Sequence, residues 1–157
     1  MSTRTAHILT LMVDNEFGVL TRITAQIRRE GWNIKSLAVA ESMDPHISRI
    51  TVVLECFDTT LPNVTHRLSK LACVRSVSAF SEELCICREL AVARIEGMDD
   101  KAKAVIETFG AQIIKTDNNA AMVALSETPQ ALDEFVLAME GIGHVNIART
   151  GPITLEK

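Results

Sequence analysis

Apolar positions in the first third of the chain follow the period of a strand and then that of a helix. Residues 7–13 (HILTLMV) are mostly apolar and are followed by an Asp-Asn pair, a pattern typical of a buried strand. From residue 19 the apolar side chains are spaced by one, three and four residues, which places them on one helix face. We therefore predict a helix over about 17–30, ended by Gly31, since glycine is common just after a helix.

The pattern continues with two alternating segments, a second helix and a short strand. The alternating segments flank a turn with Asp44-Pro45 at its centre and predict a hairpin. The predicted elements are strands at 33–42 and 49–55, a helix at 61–71 and a strand at 74–80. The order βαββαβ predicts a four-stranded antiparallel sheet with two helices on one face.

The second half of the chain repeats this order. Its predicted elements are a strand at 86–95, a helix at 102–109 ended by Gly110, hairpin strands at 112–115 and 121–125, a helix starting at Thr128-Pro129, and a last strand at 145–149. GWNI at 31–34 and GAQII at 110–114 occupy the same place in the two halves. We predict an α+β chain of two tandem ferredoxin-like βαββαβ domains, residues 1–82 and 83–157.

Composition is consistent with two small cores and excludes several classes of protein. The chain has 157 residues, 47% of them hydrophobic, and a net charge of −4, which provides no basic surface for nucleic acid. Residues 1–82 carry nine basic and eight acidic side chains, and residues 83–157 carry seven and twelve, so the formal charges are +1 and −5. We find no membrane-spanning stretch and no signal peptide, and therefore expect a cytoplasmic protein without a membrane partner.

Side chains that could carry catalysis or bind a metal are sparse. The four histidines (His7, His46, His66 and His144) are scattered, and the one close cysteine pair, Cys85 and Cys87, has no second pair to complete a zinc site. Two cysteines separated by one strand residue share a face, so reduced thiols in a core are the favoured interpretation. We predict no catalytic residue and no metal site. A phosphate-binding hydrolase of this fold, using Arg22 and Asn33, is disfavoured because no glycine-rich basic loop is present.

The segment VDNEFGVL, residues 13–20, is the strongest candidate for a binding loop. A loop leading into a helix presents unpaired amides and partial positive charge, which suit a carboxylate. Gly18 leaves room for close approach of a ligand, Asn15 can donate and accept, and Asn33 could face the same spot. The residues alone leave a second interpretation open, in which Asn15 caps the helix and Asn33 belongs to a turn.

Residues 14–54 resemble the first ACT domain of acetolactate (acetohydroxyacid) synthase small subunits. The resemblance rests on three motifs in order: NEFGVL at 15–20, GWNIKSLAVA at 31–40 and DPHISRIT at 44–51. It continues more weakly through residues 109–136 and IARTG at 147–151, and so covers nearly the whole chain.

This resemblance implies a non-catalytic regulatory subunit. Its expected partner is a large catalytic subunit that uses thiamine diphosphate, Mg and FAD, whereas this chain needs no cofactor. The resemblance also implies that the chain forms a homodimer through its ACT domains. It implies that the dimer binds a branched-chain amino acid, most often valine, and thereby confers feedback inhibition on the catalytic subunit. The implied effector-binding residues are Asn15, Gly18, Val19 and Leu20, with Asn33 and Ile34 contributed by the other protomer.

Two positions depart from the family pattern. Phe17 is bulky where a small residue is expected, which bears on effector preference. Residues 56–58 (CFD) occupy a loop where some members place a glutamine against the catalytic partner. The alternative function is a free-standing ACT-domain amino-acid sensor that regulates another enzyme.

Overall fold

The computed structural model describes residues 4–79, 85–142 and 144–157. The chain forms two compact units, Met1–Ile86 with Thr154–Lys157, and Cys87–Ile153. The predicted domain boundary, between residues 82 and 83, lies outside the described residues.

The first unit has the predicted βαββαβ order. Its elements are β1 (Thr5–Asp14), α1 (Val19–Arg29), β2 (Asn33–Glu41), β3 (Ile47–Cys56), a 3-10 turn (Asp58–Thr60), α2 (Leu61–Ser69) and β4 (Val74–Ala79). The sheet is antiparallel with strand order β2-β3-β1-β4, so β2 is an edge strand. Each predicted element is confirmed with shifts of three residues or fewer at its ends, and the predicted end of the last strand, Phe80, lies outside the described residues.

Glycines set both ends of helix α1. Gly18 adopts a left-handed conformation (φ 80°) as the N-cap, so the helix starts two residues later than predicted. At the other end Gly31 also has positive φ (73°), and its amide donates to Arg28 O at 3.0 Å. A left-handed glycine after the last turn is a common helix stop, as predicted.

The core of the first unit lies between its sheet and its two helices. It is built from buried side chains of β1, β3, α1 and α2, including Leu9, Leu11, Ile23, Ile27, Ile50, Leu54, Val64 and Leu68. The C-terminal residues also belong to this unit: Thr154 Oγ1 lies 2.7 Å from Thr10 Oγ1, and both residues are buried.

The second unit repeats the βαββαβ order. Its elements are β5 (Cys85–Glu96), α3 (Asp100–Phe109), β6 (Gln112–Asp117), β7 (Ala120–Glu127), α4 (Pro129–Glu140) and β8 (Val145–Arg149). A ninth strand, β9 (Ile153–Glu156), follows, and its residues from Thr154 onward are grouped with the first unit. The sheet order is β6-β7-β5-β8, and β9 also pairs with β5. The predictions of a four-stranded sheet and of β8 as the last strand are therefore wrong. Four residues after the Gly151-Pro152 pair are too few to show a strand period.

Side-chain caps define the helix starts in the second unit. Asp99 accepts a hydrogen bond from the Ala102 amide at 2.8 Å, and Thr128 accepts one from the Ala131 amide at 3.3 Å. The predicted start at Thr128-Pro129 is confirmed, whereas α3 begins two residues before the predicted 102, because the Asp99 carboxylate satisfies a free amide of its first turn. The rings of Phe109 and Phe135 then meet edge to face, with centroids 5.5 Å apart, in the core between α3 and α4.

The arginine of the IARTG segment holds a buried carboxylate. Arg149 donates through Nε and Nη2 to the two oxygens of Glu89, at 2.8 and 2.9 Å, and Glu89 is 5% exposed. The hydrogen bond to Glu89 raises the pKa of Arg149 above its ordinary value, burial opposes this, and Asp133 adds to the rise. Because an arginine pKa lies above the working range, its charge gives no pH dependence of stability near neutrality.

Replacing Arg149 with Ala is expected to lower the free energy of unfolding by about 3 kcal/mol, because it leaves the Glu89 carboxylate buried without its partner. Urea unfolding measures the loss. The control is Arg94→Ala: Arg94 pairs with Glu96 at 3.5 Å on the surface, and its loss should cost under about 0.5 kcal/mol. Equal effects from the two variants would contradict a structural role for the buried pair.

The cysteines are part of the packing. Cys56, Cys73 and Cys85 are buried, and Cys87 is half-buried on the same strand as Cys85. Burial raises the pKa of the Cys56 thiol, and the nearby Asp58 carboxylate adds to the rise. Within the described ranges, no cluster of three or more His, Cys, Asp or Glu side chains is arranged to hold a metal ion. Likewise, none of the described helices has the length and apolar character needed to cross a membrane.

Candidate functional site

The loop after β1 is held in place by the side chain of Asn15. Its Nδ2 donates to Pro45 O at 2.9 Å and to Glu41 Oε2 at 3.2 Å, and its Oδ1 accepts from Ser48 Oγ at 3.0 Å. Both N–H groups of this amide are therefore engaged within the chain, and one lone pair of Oδ1 remains. Asn15 thus ties the loop to the β2–β3 hairpin and does not cap helix α1, whose N-cap is Gly18 without a side-chain hydrogen bond.

The first residues of α1 divide between the core and the surface. Val19 is buried in the core of the first unit, whereas Leu20 is 41% exposed. The amide of Val19 makes only a long hydrogen bond, 3.4 Å, to Glu16 O, and first-turn amides have no partner inside the helix. The side chain of Phe17 is fully exposed, so it does not fill the space at the helix start. This end of α1 therefore carries first-turn amides without partners inside the helix and an exposed aliphatic side chain.

The other predicted residues lie at the far end of the sheet. Asn33 begins β2 and pairs with Glu55, whereas Glu41 ends β2 next to Asn15. At about 3.3 Å per strand residue, the two ends of β2 are about 25 Å apart. The expectation that Asn33 faces the same spot as Asn15 is therefore wrong within one chain.

Asn33 and Ile34 line an open groove between the end of α1 and the start of β2, here called the α1–β2 groove. Its lining residues are Thr24, Ile27, Arg28, Gly31, Trp32, Asn33 and Ile34. Ile34 is half-buried against the core, and Asn33 is exposed. The groove combines aliphatic, aromatic, amide and guanidinium groups, which can contact a small amphiphilic anion.

The outer edge of β2 carries backbone groups without strand partners. The Ser42 amide donates to Ile47 O at 2.8 Å, so Ser42 and alternate residues before it direct their backbone groups toward β3. In an antiparallel ladder alternate residues bond inward, so Leu37, Val39 and Glu41 direct their N–H and C=O groups away from β3. Such an edge is a template for pairing with another strand.

Sequence reasoning missed two charged residues near these positions. Glu41 accepts a hydrogen bond from Asn15, and Arg28 lines the α1–β2 groove; neither forms an ion pair with any described residue. The alternation of residues 33–42 placed Glu41 on the same side as Leu37 and Val39, which was the available signal. Arg28 fell on the polar face of a predicted helix and carried no signal of its own.

The first unit has the ferredoxin-like βαββαβ order of an ACT domain, with β2 at the sheet edge and a glycine at the start of α1. The protein-family model described as the acetolactate (acetohydroxyacid) synthase small subunit-like ACT domain matches residues 9–76. A second family model, described as the small subunit of acetolactate synthase, matches residues 88–157. The chain belongs to the family of acetolactate synthase small subunits.

Curated relatives and a solved structure agree with this assignment. The chain is 31% identical over 160 residues to the acetolactate synthase small subunit of Mycobacterium bovis, covering 100% of this chain and 95% of the relative. It is 30% identical over 155 residues to the isozyme 3 small subunit of Escherichia coli, covering 96% and 95%. The crystal structure of the Thermotoga maritima small subunit has the same fold, with a TM-score of 0.88, 24% identity and 98% coverage of both chains.

Proposed function

We propose that this chain is the regulatory subunit of an acetolactate synthase. In this role it binds the catalytic subunit, raises its activity and makes it sensitive to valine or a related branched-chain amino acid. The observation that supports this most is the match of both halves, residues 9–76 and 88–157, to small-subunit models. Catalysis, with thiamine diphosphate, Mg and FAD, is assigned to the partner subunit.

The effector site is proposed to form between two copies of the first unit. Asn15 and Asn33 lie at opposite ends of β2, and the outer edge of that strand is open. A two-fold axis that pairs β2 with β2 of a second copy brings the Asn15 end of one copy to the Asn33 end of the other. Each dimer then has two such sites, each with Asn15, Gly18, Val19 and Leu20 from one copy and Asn33 and Ile34 from the other.

Each residue then has a physical role. The amides from Gly18 to Leu20 receive the effector carboxylate, assisted by the positive end of the α1 dipole. Leu20 and Ile34 contact the aliphatic side chain of the effector, and Asn33 forms a hydrogen bond with its polar backbone groups. Asn15 keeps the loop in position. Val19, which is buried, supports this wall from the core.

Regulation requires that the effector bind two arrangements of the dimer with different affinities. A coupling free energy of roughly 1–3 kcal/mol corresponds to about 5- to 150-fold modulation. The helices and the acidic second unit, which has no lysine or arginine in α4, provide surfaces for the catalytic subunit.

Reconstitution tests the proposal. Adding the purified chain to its cognate catalytic subunit is expected to raise acetolactate formation, and saturating valine to lower it by about fivefold or more. Asn33→Ala is the matched control, expected to activate equally but to respond weakly to valine. If the chain binds valine and leaves the catalytic subunit unchanged, the free-standing sensor is favoured and the proposed function is contradicted.

A further inference from the structure

The carboxylate of Glu41 lies beside the proposed effector loop and has free hydrogen-bonding capacity. Glu41 Oε2 accepts from Asn15 Nδ2 at 3.2 Å, so its side chain is directed toward the loop that precedes α1. Oε1 of Glu41 makes no hydrogen bond to any described residue, and the residue is exposed. An oriented carboxylate with an open oxygen is an acceptor for a cation.

An α-amino acid brings an ammonium group that Asn15 is poorly placed to bind. An ammonium carries three donors and no acceptor, so it needs oxygen acceptors, preferably anionic ones. Both N–H groups of Asn15 are already used, and its Oδ1 accepts from Ser48, so this side chain retains a single uncharged acceptor position. Asp14 is bound by Arg75 at 2.7 Å, and Asp44 accepts from the His46 amide at 2.9 Å, whereas Glu41 is the carboxylate that Asn15 orients by a hydrogen bond.

The surface around Glu41 also suits an aliphatic side chain. Val39 precedes Glu41 by two residues, shares its side of β2 and is 46% exposed. Leu20 at the start of α1 is exposed to a similar extent. The exposed Val39 beside the Glu41 carboxylate, with the exposed Leu20 at the start of α1, suits a ligand that carries both an ammonium and a branched hydrocarbon chain.

We propose that Glu41 accepts the ammonium group of the effector and that it thereby selects amino acids over the corresponding carboxylic acids. This rests on the proposed effector site between two copies. Asn15 acts as the positioning residue, since its amide directs the Glu41 carboxylate. The ligand class is a zwitterionic amino acid with a branched aliphatic side chain.

Glu41→Gln isolates the charge, because glutamine keeps a carbonyl oxygen that accepts from Asn15 Nδ2. Valine and isovalerate, which lacks the ammonium group, are titrated calorimetrically into the full-length wild type and the variant. The variant is expected to lose about tenfold or more in valine affinity while its isovalerate affinity does not fall, because only valine presents an ammonium to the lost charge. Glu16→Gln, which removes a carboxylate from the same loop, is the matched control: because both ligands carry a carboxylate, it should leave the ratio of valine to isovalerate affinity unchanged.

The outcomes separate the two proposals. If the wild type binds valine and Glu41→Gln keeps the wild-type ratio of valine to isovalerate affinity, the role of Glu41 is overturned and the effector site stands. A wild type that binds no branched-chain amino acid overturns the effector site and the role of Glu41 together. Loss of discrimination in Glu16→Gln rather than Glu41→Gln also overturns the assignment.

Discussion

Replacing Val39 with Pro is expected to convert the proposed dimer into a monomer. Val39 directs its N–H away from β3, toward the position of a paired strand in a second copy. Proline has no N–H and therefore removes this hydrogen-bond donor. Proline is tolerated at such edge positions, because no ladder bond inside the unit is lost. Its ring blocks close approach of another strand, and self-association should weaken by about 100-fold or more, in line with a disrupted strand-to-strand interface.

Light scattering across a concentration series measures this change. Val39→Ala is the matched control: it removes the same side chain but keeps the outward N–H, so it should remain dimeric. Circular dichroism and thermal unfolding show whether Val39→Pro keeps its fold. A folded Val39→Pro variant that stays dimeric at low concentration would show that the copies associate through another surface.

The same variant connects assembly to ligand binding. Since Asn15 and Asn33 are about 25 Å apart along β2 in one chain, a monomer holds two incomplete halves of the proposed site. We therefore expect monomeric Val39→Pro to bind valine far more weakly than the dimeric control.

Local periodicity predicted most of the secondary structure because each element has a strong local pattern. Helix α1 is bounded by glycines that both adopt positive φ, and Asp99 and Thr128 cap the helices that follow them. The fold followed from the order of these elements. Strand β9 has only four residues and follows a Gly-Pro pair, so its pattern was too short to detect.

The candidate site was less predictable because it depends on sheet order and on side-chain partners. The sequence places Asn15 and Asn33 eighteen residues apart, yet antiparallel pairing puts them at opposite ends of a strand. Periodicity says nothing about which end of a sheet a loop occupies. The hydrogen bonds of Asn15 to Pro45, Ser48 and Glu41 join residues far apart in the sequence, so periodicity could not predict them. Only the structure shows that the Glu41 carboxylate lies beside the loop before α1.

Each proposed effector site takes Asn15 from one copy and Asn33 from the other. Asn15→Ala and Asn33→Ala are each expected to lose most valine affinity, the first because it releases three hydrogen bonds that hold the loop. In a dimer of one copy of each variant, one site carries both substitutions and the other site carries neither.

The most direct test is therefore valine binding by an exchanged mixture of these two variants, measured by calorimetry. Random exchange of equal amounts makes half of the dimers mixed, so about one quarter of the wild-type number of sites should return, each with near wild-type affinity. A mixture in which light scattering and mass labels confirm exchange, but which binds valine no better than either variant alone, would contradict a site shared between two copies.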